Sequence, residues 1–114
     1  MQYEWRSGTE FLKEMVKANL KGDPVGLCSI CSANPFVLRS AMIEAKAEDT
    51  FLCIESTSNQ VNQFGGYTRM NPADFVRFVH RLAEEESFPP DRIILGGDHL
   101  GPYPWRQEPA ALAM

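Results

Sequence analysis

The sequence predicts an α/β domain built on a parallel sheet, and three observations carry that prediction. Helix and strand signatures alternate along the chain in the order αβαβαβα. The strand signatures are near-continuous apolar runs, as expected of strands buried on both faces. Polar residues gather just after those runs, at the edge of a parallel sheet where the βα loops converge.

The elements follow in order. A first helix is predicted over about residues 8 to 21: Ser7 and Glu10 offer a capping box, Phe11, Leu12, Met15, Val16 and Leu20 recur at helical spacing, and Gly22 supplies the stop. A first strand is placed at about 25 to 31. Asn34-Pro35, an N-cap followed by proline, opens a helix to about 47. Phe51-Leu-Cys-Ile-Glu55 reads as the second strand. Asn71-Pro72 repeats the cap, and behind it Phe75, Val76, Val79, Leu82 and Ala83 line one helical face to about 86. Pro89-Pro90-Asp91 is a turn, Arg92-Ile-Ile-Leu-Gly96 the third strand, and a last helix is expected from about Trp105.

Two architectures fit this order: an open doubly wound sheet, or the opening units of a (β/α)8 barrel. A complete barrel takes ~250 residues. On the barrel reading, residues 1–114 are therefore the N-terminal fragment of a single TIM-barrel domain, about three βα units. Such a piece is expected to leave open strand edges and unburied helix faces, to be poorly stable or self-associating alone, and to lack activity of its own.

Composition narrows the function classes. The chain is 44% hydrophobic and 23% charged, which gives enough apolar material for a core. Lys and Arg total 11 against 15 Asp and Glu, a net charge of −4 with no block of one sign. Binding to nucleic acid or an anionic membrane through a basic surface is disfavoured. The longest apolar run, Ala110 to Met114, is far shorter than the ~18 residues that suggest a membrane span. The opening Met-Gln-Tyr-Glu-Trp-Arg has neither the basic nor the apolar region of a secretory signal, so a cytoplasmic protein is expected. Three cysteines, Cys28, Cys31 and Cys53, are expected as reduced thiols. Cys28 and Cys31 have C-x-x-C spacing but lie in a predicted strand. Residues three apart on a strand face opposite ways, which argues against a zinc or redox centre. No G-x-G-x-x-G follows the first strand and no P-loop motif is present, so nucleotide binding of either kind is unsupported.

The chemistry is expected after strands two and three. Glu55-Ser-Thr-Ser-Asn-Gln-Val-Asn-Gln-Phe-Gly-Gly-Tyr-Thr begins a connection of about fifteen residues, longer than the usual βα loop. Its amides Asn59, Gln60, Asn62 and Gln63 can hydrogen-bond sugar hydroxyls, or can fold the loop on its own backbone. Gly65-Gly66 permits positive φ or a close ligand approach. Glu55 is a candidate second acid or ligand, set against a structural ion pair. After strand three, Gly96-Gly-Asp-His-Leu-Gly-Pro102 presents Asp98 as a carboxylate for proton transfer and His99 as an imidazole for a divalent metal. His80 falls mid-helix and is expected to be half-buried and structural.

The Glu55–Thr68 loop and Ile94-Leu-Gly-Gly-Asp-His-Leu-Gly-Pro102, followed by Trp105, closely resemble the GatZ/KbaZ family. Cys28-Ser-Ile-Cys-Ser-Ala-Asn-Pro35 and Met70-Asn-Pro-Ala-Asp-Phe75 fit it too, whereas Ser56 and Arg69 stand where smaller residues are usual. Members are called accessory subunits of D-tagatose-1,6-bisphosphate aldolase and have also been labelled tagatose-6-phosphate kinases. The resemblance runs from about Val25 to the end and implies the N-terminal portion of a (β/α)8 barrel related to zinc-dependent class II aldolases. It implies Asp98 as the catalytic acid/base and His99 as one ligand of a divalent metal (zinc), with a phosphorylated ketohexose as substrate; Glu55, Asn59, Gln60, Asn62 and Gln63, read from the residues themselves, are the substrate-binding candidates beside them. Three functions follow from it: a non-catalytic partner of the catalytic aldolase subunit, a metal-dependent D-tagatose 6-phosphate 4-epimerase working by aldol cleavage and recombination, and, ranked last, the kinase. A homo-oligomer is compatible with each.

Overall fold

In the computed structural model, which describes residues 7–113, each of the three long helices begins on a side chain that the sequence supplies for that purpose. The opening hexapeptide and Met114, where the signal-peptide argument and the end of the last apolar run fall, lie outside the described residues. Helix α1 (Gly8–Leu20) starts on Ser7, whose Oγ accepts the Glu10 N–H at 3.3 Å. Helix α2 (Pro35–Ala47) starts on Asn34, whose Oδ1 accepts from Phe36 and Val37. Helix α3 (Pro72–Glu85) carries a full reciprocal box between Asn71 and Asp74. These bonds satisfy amides that have no partner within the helix.

The three helices also end alike. In each, the residue two beyond the C-cap's predecessor turns left-handed and the chain closes with a Schellman pair. Gly22 does this at φ 91, Asp49 at φ 49 and Ser87 at φ 52. For α3 the pair is Ser87 N–H to the Glu84 carbonyl (3.1 Å) and Phe88 N–H to the Ala83 carbonyl (2.8 Å).

Strands β1 (Ser29–Cys31), β2 (Leu52–Thr57) and β3 (Ile93–Asp98) form one parallel sheet in the order β1-β2-β3. Cys31 pairs with Glu55, Glu55 with Gly96, and Thr57 with Asp98. Alternation along the strands then sorts the side chains. Leu52 and Ile54, with Ile30 and Leu95, face α2 and α3 and pack against Leu38, Met42, Phe75, Val79, Leu82 and Phe88. Cys31, Cys53, Glu55, Thr57, Ile94 and Asp98 fall on the other face. Helix α1 lies over the N-terminal end of that second face: a Cβ on Gly8 would stand 2.6 Å from the Ile94 Cγ1, and Phe11 stacks on Phe51 at 4.5 Å.

Several expectations need correction. Strand β1 is shorter than predicted because Val25 to Leu27 has no ladder partner; only the Cys28 carbonyl, taking Cys53 N–H at 3.1 Å, extends it. Strands β2 and β3 each continue two residues beyond the predicted ends, because the parallel ladder carries polar Ser56-Thr57 and Gly97-Asp98 along. No helix begins at Trp105. A 3-10 turn, Tyr103–Trp105, is followed by α4 (Ala110–Ala113). Pro104 and Pro109 have no N–H to give to an α-helical ladder through that stretch. His80 is exposed rather than half-buried, since it sits about 100° round the helix from buried Val79. Val76 is exposed at the rim of the stripe for the same geometric reason.

Cys28 and Cys31 do part as expected: Cys28 lines a groove beside Ile30 and Ala41, Cys31 lies on the opposite face, and all three thiols are free. Outside the sheet, Arg39 on α2 grips Glu85 and Glu86 at the end of α3, and Arg92 meets Asp49 at 3.0 Å. No helix among the described residues is long and apolar enough to cross a membrane. Both outer strands have a free edge among the described residues, and Leu20 (83% exposed) and Phe36 (79%) present apolar surface on the helices.

Three outcomes are expected. Leu38→Ala, which empties a fully buried position, should cost about 2–5 kcal/mol in urea unfolding. Ser87→Gly should move the midpoint the other way by up to about 1 kcal/mol, because glycine takes left-handed φ without a Cβ clash. The 114-residue chain expressed alone should self-associate in sedimentation velocity; a sharp, reversible, monomeric unfolding transition would refute this.

Candidate functional site

The ladder carries Thr57 and Asp98 to the C-terminal edge of the sheet as direct partners. Asp98 is the last strand residue, half-buried, on the face away from α2 and α3. The chain then turns through His99 at φ 50. His99 is 85% exposed and sets its Nε2 3.5 Å from the Asp98 Oδ1. Gly97 comes just before: a Cβ there would meet the exposed Leu100 side chain, which would have to swing aside as the turn folds back. The Asp98–His99 pair is thus one unit at the rim.

The connection from β2 to α3 approaches that pair from the side. Asn62 organises it, donating from Nδ2 to the Ser58 carbonyl at 2.8 Å while its Oδ1 accepts Phe64 N–H (2.8 Å) and Gly66 N–H (3.3 Å). Gln60 Oε1 accepts Thr57 N–H at 2.8 Å and the Cys31 thiol at 3.7 Å. Gly66, at φ 58, leaves no room for a Cβ beside the Gln60 carbonyl. The amides of Asn62 and Gln60 are therefore engaged in folding the loop. Asn59 and Gln63 are exposed, and Phe64 meets Trp105 edge to face at 5.8 Å.

A pocket of about 500 Å³ opens between the two loops, lined by Thr57, Ser58, Asn59, His99, Leu100 and Tyr103 among others. Of the residues singled out by sequence, the structure brings Asn59 and His99 to this pocket, with Asp98 in contact with His99. Gln63 is outside its lining. Glu55 stands one strand-row below the rim, between Cys31 and Gly96 in register, and accepts the Cys53 thiol at 3.9 Å. Ser58 was not singled out. It is buried, it lines the pocket, and its Oγ donates to the His99 carbonyl at 3.4 Å. Its only sequence signal was its place in the first turn after β2.

The face that carries Glu55 and Asp98 is electrically distinctive at Cys31. Burial, then the hydrogen-bonded Asp98 carboxylate and the charge of Glu55, push this thiol up; a backbone hydrogen bond involving Thr57 pulls weakly the other way. Burial also raises Cys53, with a bond to Ser29 opposing and Glu55 adding. As for a metal, His99 offers one imidazole beside one carboxylate. No three His, Cys, Asp or Glu side chains converge to hold an ion among the described residues. The donor set present here does not by itself fit a zinc centre.

Comparison with known proteins follows the same residues. The family model for D-tagatose-1,6-bisphosphate aldolase subunits of the GatZ/KbaZ-like type matches residues 12–114. The D-tagatose-1,6-bisphosphate aldolase subunit GatZ of Salmonella typhimurium is 54% identical over 103 residues, 90% of this chain and 24% of that protein. GatZ of Klebsiella pneumoniae is 52% identical over equal shares. A crystal structure described as a probable tagatose 6 phosphate kinase from Sinorhizobium meliloti 1021 superposes with a TM-score of 0.75 at 54% identity, covering 78% of this chain and 23% of that one. The chain spans about a quarter of the length of the curated relatives it matches.

The Cys31 environment generates a rate test. A raised thiol pKa leaves little thiolate near about pH 8, so iodoacetamide should label Cys31 slowly, with the rate climbing only at higher pH. Asp98→Asn removes a neighbouring negative charge and should speed labelling by about two- to tenfold. An unchanged rate would show that the Asp98 charge does not bear on this thiol.

Proposed function

The chain belongs to the GatZ/KbaZ-like family of D-tagatose-1,6-bisphosphate aldolase subunits, and from that premise we propose that its full-length protein supports the catalytic subunit of such an aldolase in carbohydrate metabolism. The observation that carries this is the 54% identity, over 90% of this chain, to proteins named as that subunit. The fold proposed for the full-length protein is a (β/α)8 barrel. The consecutive strand order supports it, with α2 and α3 on one side of the sheet.

The rim suits a phosphorylated ketohexose. Asn59 and Thr57 present hydrogen-bonding groups to the pocket, Tyr103 an aromatic wall, and His99 an imidazole able to meet an anionic group. Exposed Leu100 adds apolar surface to its lining, and Phe64 and Tyr67 are exposed on the adjoining loop.

The Asp98–His99 contact at an open pocket favours a second reading, in which the full-length protein is itself a D-tagatose 6-phosphate 4-epimerase. Asp98 would then take and return the proton of the C4 hydroxyl, and any metal would need ligands beyond the one that His99 offers. The kinase stays last, since the sequence shows no nucleotide-binding motif.

One experiment separates these. The full-length protein is mixed with the catalytic aldolase subunit, and aldolase activity and its thermal half-life are measured with and without it. It is also incubated alone with D-tagatose 6-phosphate, with zinc or a chelator, under carbon NMR. Longer-lived aldolase activity and no turnover alone is the expected result. Metal-dependent conversion to D-fructose 6-phosphate by the protein alone, lost in Asp98→Asn and His99→Ala, would sink the purely supporting role in favour of the epimerase.

A further inference from the structure

Ser58 and Ser56 are the buried polar residues of the described chain, at 8% and 7% exposure. Ser56 faces the core within its strand. Ser58 differs, because its hydroxyl crosses from one βα loop to the other and donates to the carbonyl of His99 at 3.4 Å. Its own carbonyl accepts the Asn62 amide at 2.8 Å, and Asn62 in turn holds Phe64 and Gly66. The folded amide loop is thereby connected through one side chain to the residue where the chain leaves β3.

That residue is conformationally costly. A side-chain-bearing residue at φ 50 has its Cβ crowded by the following carbonyl, so the left-handed state persists only where its surroundings hold it. A hydrogen bond to the His99 carbonyl fixes the peptide plane that follows the turn. Holding that plane helps to keep the left-handed turn, and the φ and ψ of the turn set where the His99 Cβ leaves the chain, beside Asp98 and at the pocket wall.

We infer that Ser58 is a positioning residue, setting the His99 imidazole at the rim so that it meets the anionic group of a phosphorylated sugar. The inference rests on the proposal that this pocket takes such a sugar; the coupling of Ser58 to His99 does not. The hydroxyl itself is turned to the protein and makes no contact with the ligand. A serine that merely satisfied its own burial would leave the imidazole where it is when removed.

The test uses the full-length protein with carbon-13-labelled histidine, the His99 signal being assigned from a His99→Gln variant. In the absence of sugar, Ser58→Ala should move and broaden the His99 signal while the melting temperature stays within about 2 °C. Calorimetry should show D-tagatose 6-phosphate binding weakened by about fivefold, the scale of one lost hydrogen bond. Ser58→Thr, which keeps the hydroxyl, should restore both. Asn62→Ala, which loosens the same loop from its far side, should move the His99 signal as well, and it serves if Ser58→Ala does not fold. An unmoved His99 signal in the serine and asparagine variants overturns the inference, whatever the sugar does. A moved signal in a protein that binds no sugar establishes the coupling and overturns the ligand.

Discussion

The structure depends on the parallel ladder between β2 and β3. Six consecutive partners, from Leu52 with Ile93 to Thr57 with Asp98, tie a central strand to its neighbour over its whole length. The first half of that ladder is apolar and anchors the helices α2 and α3. The second half is polar or glycine and would not form a strand on its own propensities. It does so because the apolar half sets the register, and with period two the register fixes which side chains face which way. Asp98 therefore faces Cys31 and Glu55 rather than Phe75.

At the rim, satisfaction of the backbone takes precedence over display. A long connection leaves amide and carbonyl groups that must find partners when partly buried. Asn62, Gln60 and Thr68 supply them from side chains, which shapes the loop but removes much of its hydrogen-bonding capacity from any ligand. The groups left facing the pocket are fewer and come from both loops. Such a division, in which a few convergent polar groups are carried on a framework satisfied internally, is how small-molecule sites are generally built.

Much of this was legible in the sequence. Asn34-Pro35 and Asn71-Pro72 gave both helix starts to the residue, because an asparagine cap and an N1 proline act locally. The stripe Phe75, Val79, Leu82 and Ala83 was legible from its period. The places of Asp98 and His99 just after an apolar run marked the rim. What could not be read required non-local knowledge. The ends of β2 and β3 are set by each other, and no propensity in Ser56-Thr57 or Gly97-Asp98 announces them. His80 looked half-buried because it follows Val79, and only the angular position on the packed helix separates the two. Which amides fold the loop and which face outward depends on where Gly66 brings the backbone back, and the bond from Ser58 to His99 joins residues 41 apart in sequence.

Helix α1 gives the sheet a direction. With Gly8 pressed on Ile94 and Phe11 stacked on Phe51, the N-terminal end of the Glu55 face is closed by ring and backbone. Towards the C-terminal edge the same face lies open: Cys31 and Gly96 are exposed on either side of Glu55. Water or a small solute therefore comes to the Glu55 row from the open side and from the rim that carries His99, while the closed end is free to be rigid.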